Sequence, residues 1–438
     1  MSAIGLVKNK IFSVDISNFK YAVLALMPFF LLVNKLPHLA IISFLFLLVM
    51  SITFFLKNKI ITDYHLGIII LLLIVYSYLL ISYFLSGQTL RNLFSYGFLR
   101  YDGSIFFGYL SFFIFSTTFL DYRKALKIYF WFLFIAFSIF AIIGFFEYSN
   151  NLQFLTIRLD DIYVGPMFIA LNNSHNATGS IYAIVGVAAL AFLLESSSKR
   201  KIAYAGIFIL CFIALFITKS RGSLIAFFIG AFFTFWLNSK SVLKFIRNLF
   251  ILIALLISFM FMTGTFTRVM QIFYVYDLSA LTRLSLWEKA ITLFRNSPIL
   301  GIGFGRYNDV LWNFDRVPLT GSPGIFAMYT MNNFAFNDTN AHSSYLHFLA
   351  ETGIIGLILI ISFWLACFII VFKGYRFTKD IFSKKVYLSV LGCILTLFAL
   401  SITENYMTAP TVMTCISVIT SLAVGLYWSE KNKIIIGR

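Results

Sequence analysis

The feature that most constrains this chain is a succession of apolar runs, each about as long as a bilayer is thick. A hydrocarbon core of ~30 Å is crossed by ~20 helical residues. Twelve such runs lie near 19–36, 38–56, 66–85, 104–120, 127–147, 177–194, 201–218, 222–237, 247–263, 353–372, 386–402 and 410–428. Phe, Leu and Ile dominate them all round, without the polar stripe of a helix half-exposed to water. Backbone in hydrocarbon must satisfy its own polar groups, so each run is predicted to be α-helical. The chain is 60% hydrophobic and only 12% charged, against ~45–50% and ~25% in soluble domains. That balance excludes a soluble globular enzyme, a disordered chain and a coiled coil. The expected fold is all-α: a polytopic integral membrane protein of about 12 transmembrane helices.

The charge distribution gives an orientation. The net charge is +17, from 34 Lys and Arg against 17 Asp and Glu. With the N-terminus in the cytoplasm, 22 basic and six acidic residues fall on the cytoplasmic side and 12 basic and 11 acidic ones on the other. Positively charged connections mark the cytoplasmic face, so both termini are expected there. The excess that would suggest nucleic acid in a soluble protein is a topology signal here, and no nucleic-acid partner is expected. Lys8, Lys10 and Lys20 lead into the first run and no small-residue cleavage site follows it, so that run is read as a retained span. Cys211, Cys367, Cys393 and Cys415 sit inside apolar runs and match no metal or redox spacing.

Three parts follow from the run spacing: residues 1–263 with nine spans, an external segment 264–352, and residues 353–438 with three spans. Long connections tend to carry function, and the cytoplasmic connections are all short and basic, so any chemistry should face outward. The external segment contains an amphipathic pattern at 279–297, with Leu284, Trp287, Ile291 and Phe294 at helical spacing. Pro298 ends it, and glycines follow at 301, 303 and 305. These are not a dinucleotide fingerprint, because no strand precedes them; an interfacial helix and a turn describe them.

Polar residues concentrate where this segment re-enters the membrane. His342 and Tyr345 are three apart, and His347 and Glu351 four apart, so each pair can share a helix face. His342 reads either as a solvated surface residue or as a general base near neutral pH. A second polar point is the turn Thr218-Lys219-Ser220-Arg221-Gly222, where Arg221 either snorkels to the interface or binds an anion through its planar fork. No acidic cluster has metal-ligand character: Asp160-Asp161 is the one adjacent acidic pair, and the external segment balances six basic residues with six acidic ones. Two arginines and a histidine near the outer leaflet suit a lipid-linked phosphate handled without a metal.

These stretches resemble the O-antigen ligase and polymerase superfamily of bacterial membrane glycosyltransferases. Ser220-Arg221-Gly222-Ser223 is similar to the family's short external arginine turn. Arg283 to Trp287, continuing through Pro298 to Gly305, resembles its arginine-bearing helix followed by P-L-L-G-x-G-x-G. Residues 341–353, AHSSYLHFLAETG, resemble its H-N-x-Y-L-x-x-L-x-E-x-G segment, departing at Ser343 where the family has Asn. Asn172 to Asn176 loosely resembles an Asn-bearing external segment. The motifs lie within residues 218–360; elsewhere the likeness is in hydropathy alone.

The resemblance implies a GT-C-like membrane fold. It implies transfer of a glycan from an undecaprenyl-diphosphate carrier to a sugar hydroxyl at the outer face of the inner membrane, among membrane lipids. The acceptor is lipid A-core for a ligase, or a second lipid-linked chain for a polymerase. It assigns His342 as general base, Arg283 and Arg221 to the leaving diphosphate, and Lys219, Tyr345, Glu351 and Arg306 to substrate contacts, with no metal and no cofactor. A twelve-span secondary transporter is the rival of another class, but charges within the spans are few, whereas transport paths usually carry some. A metal-dependent oligosaccharyltransferase would carry an acidic motif in the first external connection, and Asn34 to His38 holds no carboxylate.

Overall fold

The computed structural model describes residues 16–30, 63–93, 102–119, 121–150, 174–262, 278–310 and 340–436, with short stretches at 156–158, 166–169, 313–314 and 334–335 and isolated residues at 49, 95, 98 and 266. Its helices are α1 (Ile16–Phe30), α2 (Asp63–Leu85), α3 (Ser104–Thr118), α4 (Tyr122–Asn150), α5 (His175–Leu194) and α6 (Ser198–Ile217). They continue as α7 (Arg221–Asn238), α8 (Val242–Met262), α9 (Leu278–Asn296), α10 (Ser344–Phe377), α11 (Ile381–Thr403) and α12 (Pro410–Ile436). Two small antiparallel pairs complete the described elements: β1 (Thr156–Arg158) with β2 (Pro166–Phe168), and β3 (Asn313–Phe314) with β4 (Phe334–Ala335). Among the described residues, nine helices are long and apolar enough to cross a membrane, and α1 and α3 hold shorter apolar stretches. Eleven of the twelve expected runs therefore fall on described helices; the run at 38–56 lies outside the described residues apart from position 49.

The centre is built from α5, α11 and α12, which are buried along most of their length, whereas α8 is exposed along nearly all of its length. Water exclusion gives no drive for one apolar helix to leave lipid for another, so close backbone approach has to supply the packing. α5 has the composition for it: Gly179, Ala183, Gly186, Ala188, Ala189 and Ala191 are all buried. One close crossing joins α7 and α11. A Cβ on Gly230 would stand 2.0 Å from the Thr396 hydroxyl, and one on Gly392 would stand 2.5 Å from that of Thr234. Both threonines donate back to their own helices, Thr234 to the Gly230 carbonyl at 2.8 Å and Thr396 to that of Gly392 at 2.9 Å, so neither of these hydroxyls is left unpaired.

Contacts at the two ends of the bundle sort as the charge bias divides the chain. At one end Arg123 pairs with Asp380 at 2.8 Å, Lys385 donates to Ser196 at 2.8 Å and Tyr387 to Glu430 at 3.0 Å. All the charged members of that set belong to the side expected to be cytoplasmic. Arg283, His342 and Arg306 make their contacts at the other end.

One irregularity positions everything at that other end. α10 is broken at Gly353, whose φ of 63° and ψ of −168° are not helical. The segment after α9 repairs the break. Ile302 N–H donates to the Ala350 carbonyl at 3.0 Å, Gly303 N–H to that of Glu351 at 2.8 Å, and Ile354 N–H to that of Pro298 at 3.0 Å. Gly301, Gly303 and Gly305 all have positive φ, which glycine adopts at little cost. The backbones are so close that a Cβ on Gly301 would lie 2.3 Å from the Glu351 carbonyl carbon, and one on Gly353 2.2 Å from the Ile299 oxygen. The glycine-rich turn is thus a backbone splice into a broken helix.

Gly353→Ala and Gly301→Ala are each expected to destabilise the protein by on the order of 2 kcal/mol or more, through combined strain and clash. Gly67→Ala, at a position where a Cβ meets nothing within 4 Å, should leave the apparent Tm of detergent-purified protein unchanged. Equal thermal midpoints for all three variants would contradict the splice.

Candidate active site

Three separate segments converge on one carboxylate. Glu404 caps the end of α11 in an extended conformation, just before the short turn into α12. Its Oε1 accepts from Arg283 Nη2 at 2.6 Å and from Asn176 Nδ2 at 3.2 Å, and its Oε2 lies 2.6 Å from His342 Nδ1. Arg283 Nε also donates to the Thr403 carbonyl at 3.3 Å, so the guanidinium grips the end of α11 from two sides. The side chains are partly open to the outside, with 30% exposure at His342, 20% at Arg283 and 15% at Glu404.

The electrostatics follow from that enclosure. Burial alone pushes the Glu404 carboxyl upward, but the hydrogen bond and charge of His342, together with those of Arg283, outweigh it and hold the group below the ordinary carboxylate value. An ionised Glu404 accepts at His342 Nδ1, so the proton of that contact sits on Nδ1, and Nε2 is the ring nitrogen directed away from the carboxylate. A carboxylate that fixes the tautomer and angle of an imidazole is the arrangement that lets histidine act as a general base.

Local backbone places His342 rather than helix geometry. It precedes α10, whose N-cap is Ser343, and it has φ of 46°. Its N–H donates to Asn340 Oδ1 at 2.9 Å. Ser344 Oγ reaches the Glu404 carbonyl at 3.3 Å and accepts from Met407 N–H at 3.0 Å, which ties the start of α10 to the α11–α12 turn. Lys219, with φ of 54°, is the other non-glycine residue with positive φ among the described residues. Left-handed backbone at non-glycine residues costs energy and clusters at functional sites, and both instances here fall on sequence-expected site residues.

The α6–α7 turn joins the same network. Ser220 Oγ donates to Asn176 Oδ1 at 2.9 Å and lies 2.8 Å from Ser223 Oγ, so Asn176 bridges the arginine turn to Glu404. Tyr406 OH closes the loop on the Asn176 carbonyl at 2.8 Å. Arg221 opens α7 beside this turn and is half-buried. Lys219 is almost fully buried, with Nζ 5.7 Å from the Tyr148 ring centroid.

Three residues expected as substrate contacts also make contacts within the protein framework. Tyr345 donates its hydroxyl to the Phe398 carbonyl of α11 at 2.8 Å. Arg306 pairs with Asp309 at 3.1 Å and donates to the Ser86 carbonyl at 2.9 Å, which ties the splice segment to the end of α2. Glu351 is fully buried and accepts from Tyr307 N–H at 2.8 Å. Helical phase explains the separation, because Glu351 lies two turns into α10 while His342 stands before it.

The expectation of no carboxylate cluster with metal-ligand character also needs correction. Asp102, His347 and Glu351 come together with candidate ligand atoms within 4.8 Å of one another. Sequence spacing could not show this, since Asp102 lies 245 positions from His347. Asp160 and Asp161 lie outside the described residues. Lys289 is buried nearby, 4.2 Å from the Tyr307 ring centroid. Burial lowers its ammonium to about 8, against the opposing pull of Glu351.

Glu404 is the main residue that motif reading misses. Its signal is faint: it is the one carboxylate in the connection between the last two apolar runs. Residues 206–361 match the protein family described as O-Antigen ligase. The matched stretch runs from α6 into α10 and contains Lys219, Arg221, Arg283 and His342, while Asn176 and Glu404 lie outside it. No curated protein matches the chain.

The lowered Glu404 carboxyl makes stability depend on pH with a definite sign. Between its lowered value and the ordinary 4.5 the unfolded chain binds more protons, so stability is present above that window and lost as pH falls through it. Glu404→Gln is therefore expected to flatten the acid limb of a Tm-against-pH curve and to lower Tm at pH 7. An unchanged acid limb would show that the carboxylate is not held ionised by its partners.

Proposed function

We propose that this chain is a membrane glycosyltransferase of O-antigen ligase type. It moves a glycan from an undecaprenyl-diphosphate carrier to a sugar hydroxyl of lipid A-core at the outer face of the inner membrane. Both termini lie in the cytoplasm and the Glu404 cluster faces outward. The observation that carries this reading is the single carboxylate that joins Arg283 and His342, with Asn176 linking it to the arginine turn.

In this reading His342 Nε2 takes the proton of the acceptor hydroxyl as that oxygen attacks the anomeric carbon. The bond from that carbon to the diphosphate oxygen breaks with its electron pair, and the diphosphate leaves on the opposite face, so configuration inverts. Arg221 and Arg283, with Lys219 beside them, meet the charge that grows on the leaving oxygen. Cations placed before the reaction stabilise the transition state more than the ground state, which is what accelerates the step. Glu404 stabilises the imidazolium that forms, and the proton passes to water afterwards. The arginines provide the charge compensation, so the reading requires no catalytic metal.

The family likeness covers polymerase-type activity as well, and the same residues serve it if the acceptor is a second carrier-linked chain. Product analysis separates the two: a ligase glycosylates lipid A-core, and a polymerase lengthens the carrier-linked glycan.

With purified protein and a lipid-linked donor, His342→Ala and Arg283→Ala should each reduce turnover by ~10²–10³, the scale of losing one preorganised electrostatic group. Chelator should leave the wild-type rate intact. Near-normal turnover in folded His342→Ala would remove the proposed base and sink the mechanism.

A further inference from the structure

A second polar cluster lies deeper than the first, and the proposed chemistry leaves it unused. Asp102 precedes α3, His347 is in the first turn of α10, Glu351 is one turn further, and Tyr307 follows the splice. All four are buried. His347 Nε2 stands 2.6 Å from Asp102 Oδ1 and 3.4 Å from Glu351 Oε2. Glu351 Oε1 accepts from the Tyr307 N–H, and the Tyr307 hydroxyl donates to the Leu286 carbonyl of α9 at 2.8 Å. Leu286 lies three residues beyond Arg283, just under one helical turn.

The contacts therefore run without interruption from the first turn of α10, five residues past His342, to the part of α9 that carries Arg283. Apolar packing between the helices is also present, through Ala290 and Leu293 against Ala341 and Ala350. Such packing resists separation but is non-directional and weak against sliding. Hydrogen bonds fix angle and register as well. Buried charged groups are a poor source of stability compared with apolar residues of the same volume, so their presence here calls for a use other than stability.

We propose that Asp102, His347, Glu351 and Tyr307 are positioning residues: they set α9 against the start of α10, and so align Arg283 with His342 across Glu404. This rests on the glycan-transfer reading for its effect on rate, but not for its effect on geometry. The cluster also holds a cation of its own, because Lys289 is buried over the Tyr307 ring within electrostatic reach of Glu351.

The test uses Tyr307→Phe, which removes only the bond to Leu286, and the double variant Asp102→Leu/His347→Leu, which replaces a polar pair with apolar volume. Three quantities are measured on full-length purified protein: Tm, the kcat and KM for lipid-linked donor, and a spin-label distance between cysteines placed at the exposed positions Leu284 and Ile354. Tyr307→Phe should keep its Tm, lose about 10- to 100-fold in kcat at unchanged KM, the scale of a misplacement near 1 Å, and broaden the label distance. The double variant should show the same loss of kcat without a lower Tm. Unchanged kcat and label distances in both folded variants overturn the proposal, as does a kcat loss that only tracks the unfolded fraction. So does a stoichiometric divalent metal that copurifies with wild-type protein and is absent from the double variant. If the wild type transfers no glycan yet the label distances shift, the positioning role stands and the assigned reaction falls.

Discussion

Every structural decision in this chain is made under one constraint: backbone polar groups in hydrocarbon need partners within the protein. Unbroken helices meet it by themselves, which is why the apolar runs become α2, α4 to α8 and α10 to α12. The break at Gly353 does not meet it alone. The carbonyls of Ala350 and Glu351 and the amide of Ile354 are satisfied only because residues 298–303 lie against them. A segment between two spans is thereby fastened to the start of α10, and α9, immediately before it, is delivered with Arg283 to the end of α11.

Once that splice is in place, the polar residues divide into two sets with different tasks. The outer set, around Glu404, is partly exposed and pairs a carboxylate with a histidine and an arginine. The deeper set, around His347, is closed to solvent and turned toward other parts of the protein. α10 carries members of both sets within its first turns and the residues just before it, and α9 is bonded to both. A binding site at a membrane surface needs cations that do not wander, and long arginine side chains are mobile unless held. Arg283 is held by Glu404 and by the Thr403 carbonyl.

The sequence discloses the helices well, because apolar length is a direct physical requirement of a bilayer and needs no knowledge of neighbours. It also points to Arg221, Arg283 and His342, through three short stretches that resemble one family, and the fold brings Arg283 and His342 onto one carboxylate. Glu404 stays hidden because its importance arises from partners 121 and 62 residues away, and a lone carboxylate at the end of an apolar run has no local signature. Tyr345, Glu351 and Arg306 show the converse. They stand in the expected motifs, yet their side chains are engaged with Phe398, Tyr307 and Ser86. Spacing reports which helix face a residue shares, and cannot report whether that face meets solvent or another element. Asp102 joins His347 across 245 positions, a pairing that only the folded chain can reveal.

The left-handed backbone at Lys219 and His342 also bears on how such a protein responds to selection. Glycine or asparagine at either position would relax the turn, so a screen that rewards yield or heat resistance alone favours losing two side chains that the proposed reaction uses. Variants improved for expression by that route would look better folded while losing the proposed base. The two strained turns thus mark where a library for this protein should be held fixed.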